Sequence, residues 1–156
     1  MKKITIVGLC LLGILGACKK DDDAKKEDKS PVFTSLKIEG TEYINTTDEI
    51  HVHLGEAFDF TVSMADDKEL SELQVEIHSA FDGHNHAKSL MPDEPLKFGP
   101  EIRMLTGQVD SKTFNVFSEN DVHYTEGDYH LEMLVLDKAG NRTVKVVALH
   151  IENHDH

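Results

Sequence analysis

The sequence predicts an all-β domain folded as an antiparallel sandwich, and three observations lead there. From Pro31 onward, short runs alternate apolar and polar residues with the period of two that half-buried strands require. Gly, Asp, Asn and Ser separate these runs, and no stretch sustains the 3.6-residue period of an amphipathic helix. Asp137-Lys138-Ala139-Gly140-Asn141 sits between two β-rich runs and reads as a hairpin loop with Gly in a left-handed position.

In chain order the expected strands are Phe33–Glu39, Ile50–Leu54, Ala57–Met64 and Leu73–His78. Ile102–Leu105, Thr113–Phe117, Tyr129–Leu136 and Thr143–Ile151 follow. Seven to eight short strands with turn signals between them match an immunoglobulin-like sandwich. Ala80 to Pro100 breaks the pattern, with three prolines and two glycines, and is expected to be a loop of about 20 residues.

Ahead of the sandwich the chain reads as an address. Lys2 and Lys3 precede an apolar run, Ile4 to Gly16, which is shorter than the roughly 20 residues of a membrane-spanning helix. It closes on Leu15-Gly16-Ala17-Cys18, which resembles a bacterial lipobox. Residues 1–17 are therefore expected to be a lipoprotein signal peptide, with Cys18 lipidated and holding the protein to the membrane; an ordinary secretory signal is the alternative. Removing 17 of the 156 residues leaves 139, and losing two lysines takes the formal charge from −13 to −15. Cys10 leaves with the signal, so thiol catalysis, disulfides and Cys-based zinc sites are excluded from the folded domain.

Residues 18–31 are expected to form the lipidated cysteine and a disordered charged tether, because Lys19 to Ser30 has no apolar side chain larger than Ala. Its Asp21-Asp22-Asp23 run resembles the acidic export signal of surface lipoproteins; a solvated spacer is the alternative. Residues 32–153 then form the sandwich domain. An outer-membrane lipoprotein, exposed at the surface or facing the periplasm, is the expected location, with an outer-membrane protein as a partner.

Composition excludes other classes. A chain with 16 Lys+Arg against 29 Asp+Glu offers no basic footprint for nucleic acid. Trp is absent, which weighs against an aromatic platform for glycans. None of the sequence patterns of serine hydrolases or zinc proteases occurs, no nucleophile–base pair stands out, and no enzyme activity is expected.

The unusual count is ten His, all after residue 50. Alternation puts Leu73, Val75 and Ile77 inward, so Glu76 and His78 point out. By the same rule His130 and Glu132 point out between Tyr129, Leu131 and Met133, and His51 and His53 share the outward face of their strand. If these are strands C, F and A′, then His78 ends C beside the start of F at His130. Strand G brings His150 to that pole and A′, parallel to G, brings His53. The loop with His84 and His86 leaves C there, and His123 lies in the loop entering F. Seven of the ten His thus gather at one end.

Neutral imidazole binds Zn²⁺ and Cu²⁺ well, and three or four donors complete a tetrahedral site. The expected site is His78, His84, His86 and His130, with His51, His53, His123 and His150 as a second site or as support. Asp82 is a further donor or an acceptor that orients a ring. His154 and His156, at the terminus, are not expected to take part. The competing reading is a non-catalytic adhesion or complex-assembly module with incidental surface histidines.

Gly127-Asp128-Tyr129-His130-Leu131, followed by Asp137, Gly140 and Asn141, resembles the last two strands of bacterial Ig-like domains, where the Tyr forms a tyrosine corner. The lipobox, His78, Asp82-Gly83-His84-Asn85-His86 and Tyr129-His130 together are similar to a family of bacterial lipoproteins, domain of unknown function 4625, over most of residues 32–152. That resemblance implies the Ig-like fold and brings no activity with it.

Overall fold

The structure is a computed structural model that describes residues 29–54, 58–80, 95–116 and 124–153. Nine strands form among these residues: β1 (Val32–Ile38), β2 (Thr41–Glu42), β3 (Ile50–Leu54), β4 (Phe58–Ala65), β5 (Leu70–Ser79), β6 (Phe98–Met104), β7 (Val109–Val116), β8 (Gly127–Asp137) and β9 (Arg142–Asn153). They build two sheets, ordered β2-β1-β4-β7 and β3-β9-β8-β5-β6. In immunoglobulin lettering the first carries A, B and E and the second A′, G, F, C and C′.

Alternation explains why these segments are strands. β4 buries Phe58, Phe60, Val62 and Met64, β5 buries Leu73, Val75 and Ile77, and β8 buries Tyr129, Leu131, Met133 and Val135. These inner faces meet as one core, in which Phe60 stacks on Phe114 with ring centroids 4.9 Å apart. Burying a Leu- or Phe-sized side chain stabilises by about 1.5–3 kcal/mol, so a register slip that turned one strand over would expose several such side chains at once. The outer face of the five-stranded sheet carries polar residues and histidines together with the exposed apolar side chains Ile102, Met104, Val144 and Val146.

Three details differ from the sequence reading. The two-residue strand β2 was not expected; it exists because Glu39 and Gly40, both at positive φ, turn the chain back on β1. Most strands run longer than their alternation alone suggested, since backbone pairing continues past the apolar residues. The Ala80–Pro100 segment is also not one long loop, because residues 98–100 belong to β6 and Leu96 is buried. Pro100 is tolerated because β6 is an edge strand. Gly99, at φ 86°, supplies the extra residue of a bulge between the pairs Val75↔Glu101 and Ile77↔Phe98.

The β8–β9 turn follows the expected pattern, with Gly140 at φ 88° and the Asp137 carboxylate accepting from Asn141 N at 2.8 Å. The residues read as the end of the tether touch this turn. Asn141 Nδ2 donates to Lys29 O at 2.9 Å, and Pro31, itself buried, accepts from Thr143 Oγ1.

Candidate metal centre

All five histidines among the described residues lie on the outer face of the five-stranded sheet. Each alternates with buried neighbours: Ile50 and Val52 beside His51 and His53, Ile77 before His78, Tyr129 and Leu131 around His130, Leu149 and Ile151 around His150. Register then decides which of them meet.

His78 on β5 stands directly opposite His130 on β8. Their ring centroids are 5.7 Å apart with planes at 87°, an edge-to-face contact. His78 Nδ1 lies 3.6 Å from Glu76 Oε1, so a carboxylate sits beside one of the two rings. This is the pairing that strand alternation and chain direction predict.

A second group forms where β3 runs parallel to β9. His51 is in register with His150, and their ring centroids are 5.2 Å apart. His150 Nδ1 meets Asp128 Oδ1, from β8, at 2.8 Å and Glu49 Oε2 at 3.9 Å. Donor atoms of Glu49, Asp128 and His150 all lie within 4.8 Å of one another. Glu152 takes His51 Nδ1 at 3.0 Å on one carboxylate oxygen and His53 Nδ1 at 3.3 Å on the other. One carboxylate thereby orients two imidazoles.

Electrostatics follow from these contacts. The hydrogen bond to Asp128, helped by the charge of Glu49, holds the His150 imidazolium above its ordinary range against the opposing effect of burial. The hydrogen bond to His51 holds the Glu152 carboxyl below the usual carboxylate range. The two groups are adjacent, because His150 pairs with Asp128 and His130 lies two residues along β8. That makes His130 and His150 diagonal neighbours, about 7–8 Å apart.

The structure thus brings together His78 with His130, and His51, His53 and His150 with one another. His84, His86, His123, His154, His156 and Asp82 lie outside the described residues. Sequence reasoning missed Glu49, Asp128 and Glu152 as participants. Parity alone would put Asp128 and Glu152 on the histidine face, two residues from His130 and His150. That Glu49 reaches them depends on the parallel register of β3 and β9.

Tyr129 lies under this surface. Its hydroxyl donates to Thr125 O at 2.6 Å and accepts from Leu96 N at 3.2 Å. The bond four residues back is the tyrosine corner, and it fixes the start of β8 where Asp128 and His130 project.

The fold and this surface define a two-sheet sandwich with a histidine- and carboxylate-bearing outer face. The chain belongs to the family described as a domain of unknown function (DUF4625), whose model matches residues 16–152. No curated protein matches the chain. Among solved structures it is similar to a Niemann-Pick type C2 protein from Japanese carpenter ant, at 9% identity and a TM-score of 0.48, over 80% of this chain and 94% of that one. It is also similar to a mutant β-glucosidase from Listeria innocua in complex with laminaribiose, at 14% identity and a TM-score of 0.38. That likeness covers 76% of this chain and 16% of the glucosidase.

Proposed function

We propose that this protein is anchored at the outer membrane through a lipidated Cys18 and binds a divalent transition metal, zinc or copper, at His78 and His130. The His84-Asn85-His86 segment, which follows β5, supplies the remaining donors. The observation that carries this reading is the cross-strand placement of His78 against His130, with ring centroids 5.7 Å apart on an outward face. Two imidazoles at that separation come from two paired strands, so little ordering is needed to present both to one ion. Imidazole nitrogen suits zinc and copper, and the Glu76 carboxylate near His78 Nδ1 is placed to orient that ring while its other nitrogen ligates.

The fold also supports an orientation. The tether reaches the domain at the β8–β9 turn, through Lys29 and Asn141. Asp128 lies nine residues back along β8 from Asp137, about 30 Å at strand rise. The chain from Cys18 therefore enters the sandwich at the pole opposite Asp128 and His130.

The test is metal analysis of the untagged mature chain, followed by calorimetric titration with Zn²⁺ and Cu²⁺. The wild type is expected to bind saturably, and His78→Ala and His130→Ala each to lose that binding. Wild-type protein that takes up no metal, or variants that titrate like it, would overturn the reading. Exposed Ile102, Met104, Val144 and Val146 on the same outer face favour the second reading, a module that docks on a protein partner. That reading predicts partner capture lost on Val144→Asp and unaffected by His78→Ala.

A further inference from the structure

We infer that Glu49, Asp128 and His150 form a second divalent-cation site, separate from the His78–His130 pair and of different chemistry. Three neighbouring chain segments supply its donors: Glu49 is the residue immediately before β3, His150 lies on β9 and Asp128 on β8. The donor atoms already converge, with His150 Nδ1 at 2.8 Å from Asp128 Oδ1 and 3.9 Å from Glu49 Oε2.

Zinc bonds of about 2.0–2.2 Å place tetrahedral donors about 3.3–3.5 Å apart. Closing the site therefore asks the His150–Asp128 contact to open and the His150–Glu49 contact to shorten by about half an ångström each, and the two carboxylate oxygens, within 4.8 Å of one another, to close by up to about 1.4 Å. Exposed Glu and Asp side chains make such moves through ordinary rotamer changes. Two carboxylates and a neutral imidazole carry a charge of −2, which matches a divalent ion. Mixed oxygen and nitrogen donors favour Zn²⁺ over Cu(I), and three protein donors leave a fourth position for water. His51, its ring centroid 5.2 Å from that of His150 and its Nδ1 held by Glu152, fixes the wall on the β3 side.

The site would also do mechanical work. β3 is a five-residue edge strand whose sheet partner is β9. An ion shared by Glu49, His150 and Asp128 fastens that edge to the two strands beside it. Zinc should then slow hydrogen exchange in β3, an effect with no reason to follow from an ion at His78 and His130.

This inference does not require the first pair to bind metal, and the experiment separates the two. Zinc is titrated calorimetrically into wild type, into the double variant His78→Ala/His130→Ala and into Asp128→Asn/His150→Gln. Amide exchange over β3 is followed with and without zinc. The expected result is two equivalents in wild type and one in each double variant. Zinc protection of β3 should survive in the first variant and vanish in the second. Asp128→Asn and Glu49→Gln singly, which keep side-chain size, should each weaken the second equivalent at least tenfold. If the first double variant binds no zinc, this site is overturned while the His78–His130 reading stands. If Asp128→Asn/His150→Gln binds no zinc while the other keeps one equivalent, the reverse holds. No zinc in wild type overturns both, and β3 exchange that ignores zinc overturns the second site whatever the stoichiometry.

Discussion

Replacing Tyr129 with Phe removes one oxygen from the centre of the domain and leaves the ring in place. Tyr129 is fully buried, and burial pushes its phenol above the ordinary range. The apolar burial of the ring is retained, so the cost comes from hydrogen bonds alone. The hydroxyl donates to Thr125 O at 2.6 Å and accepts from Leu96 N at 3.2 Å. Leu96 is itself buried, so its amide would be left without this partner away from water. Losing the first bond costs about 0.5–1.5 kcal/mol and stranding the amide about 1–3 kcal/mol, which together predict a loss of about 1.5–4.5 kcal/mol. For a domain of this size that lowers Tm by about 6–15 °C. Urea unfolding of wild type and Tyr129→Phe measures it directly, with the midpoint falling and the m-value unchanged. A loss below about 0.5 kcal/mol would refute the reasoning, because it would mean that the corner bonds contribute nothing net. The ring still fills its place under β8, so zinc stoichiometry in the variant should equal that of wild type.

Four further outcomes are expected. Gly99→Ala should destabilise by about 3 kcal/mol or more, since residue 99 sits at φ 86° and a Cβ there would lie 2.5 Å from Val75 O; a change under about 1 kcal/mol in urea would count against the bulge geometry. Deleting residues 19–28 should leave Tm within about 2 °C, whereas extending the deletion through Pro31 should lower it by several degrees, because Lys29 O and Pro31 O accept hydrogen bonds from the domain. Cys18→Ala should move the protein from the detergent phase to the aqueous phase in cells, and continued partition into detergent would contradict lipidation there. In metal-free protein, the raised His150 pKa contributes stability that is fully present below its unfolded value near 6.5 and is lost as pH rises through its folded value. The lowered Glu152 pKa contributes above its unfolded value near 4.5 and is lost as pH falls through its folded value. Their joint contribution is therefore greatest between about pH 4.5 and 6.5. Thermal melts of wild type against His150→Gln should show the largest gap there, and a gap that widens toward pH 8 would reverse the sign.

The sandwich was legible in the chain because alternation in β3, β4, β5, β8 and β9 is a direct consequence of one face being buried. For the same reason the outward direction of His51, His53, His78 and His130 needed no coordinates. The hairpin at Asp137 to Asn141 was readable from its turn residues, Gly140 above all, and the corner at Tyr129 from the resemblance of Gly127 to Leu131 to bacterial Ig-like domains. Immunoglobulin connectivity then sufficed to set His78 beside His130, since antiparallel C and F must meet there.

Tertiary structure alone decided which carboxylates join the histidines. Glu49 precedes β3 while Asp128 and Glu152 belong to β8 and β9, and their convergence on His150, His51 and His53 depends on how far β3 slides along β9. Alternation constrains that slide only to even steps, because every even shift keeps the same residues buried. The core packing of Ile50 and Val52 against Leu149 and Ile151 selects one step among them. The bulge at Gly99 was hidden for a similar reason. Gly-Pro reads locally as a turn, and only pairing with β5 shows that the strand continues through it.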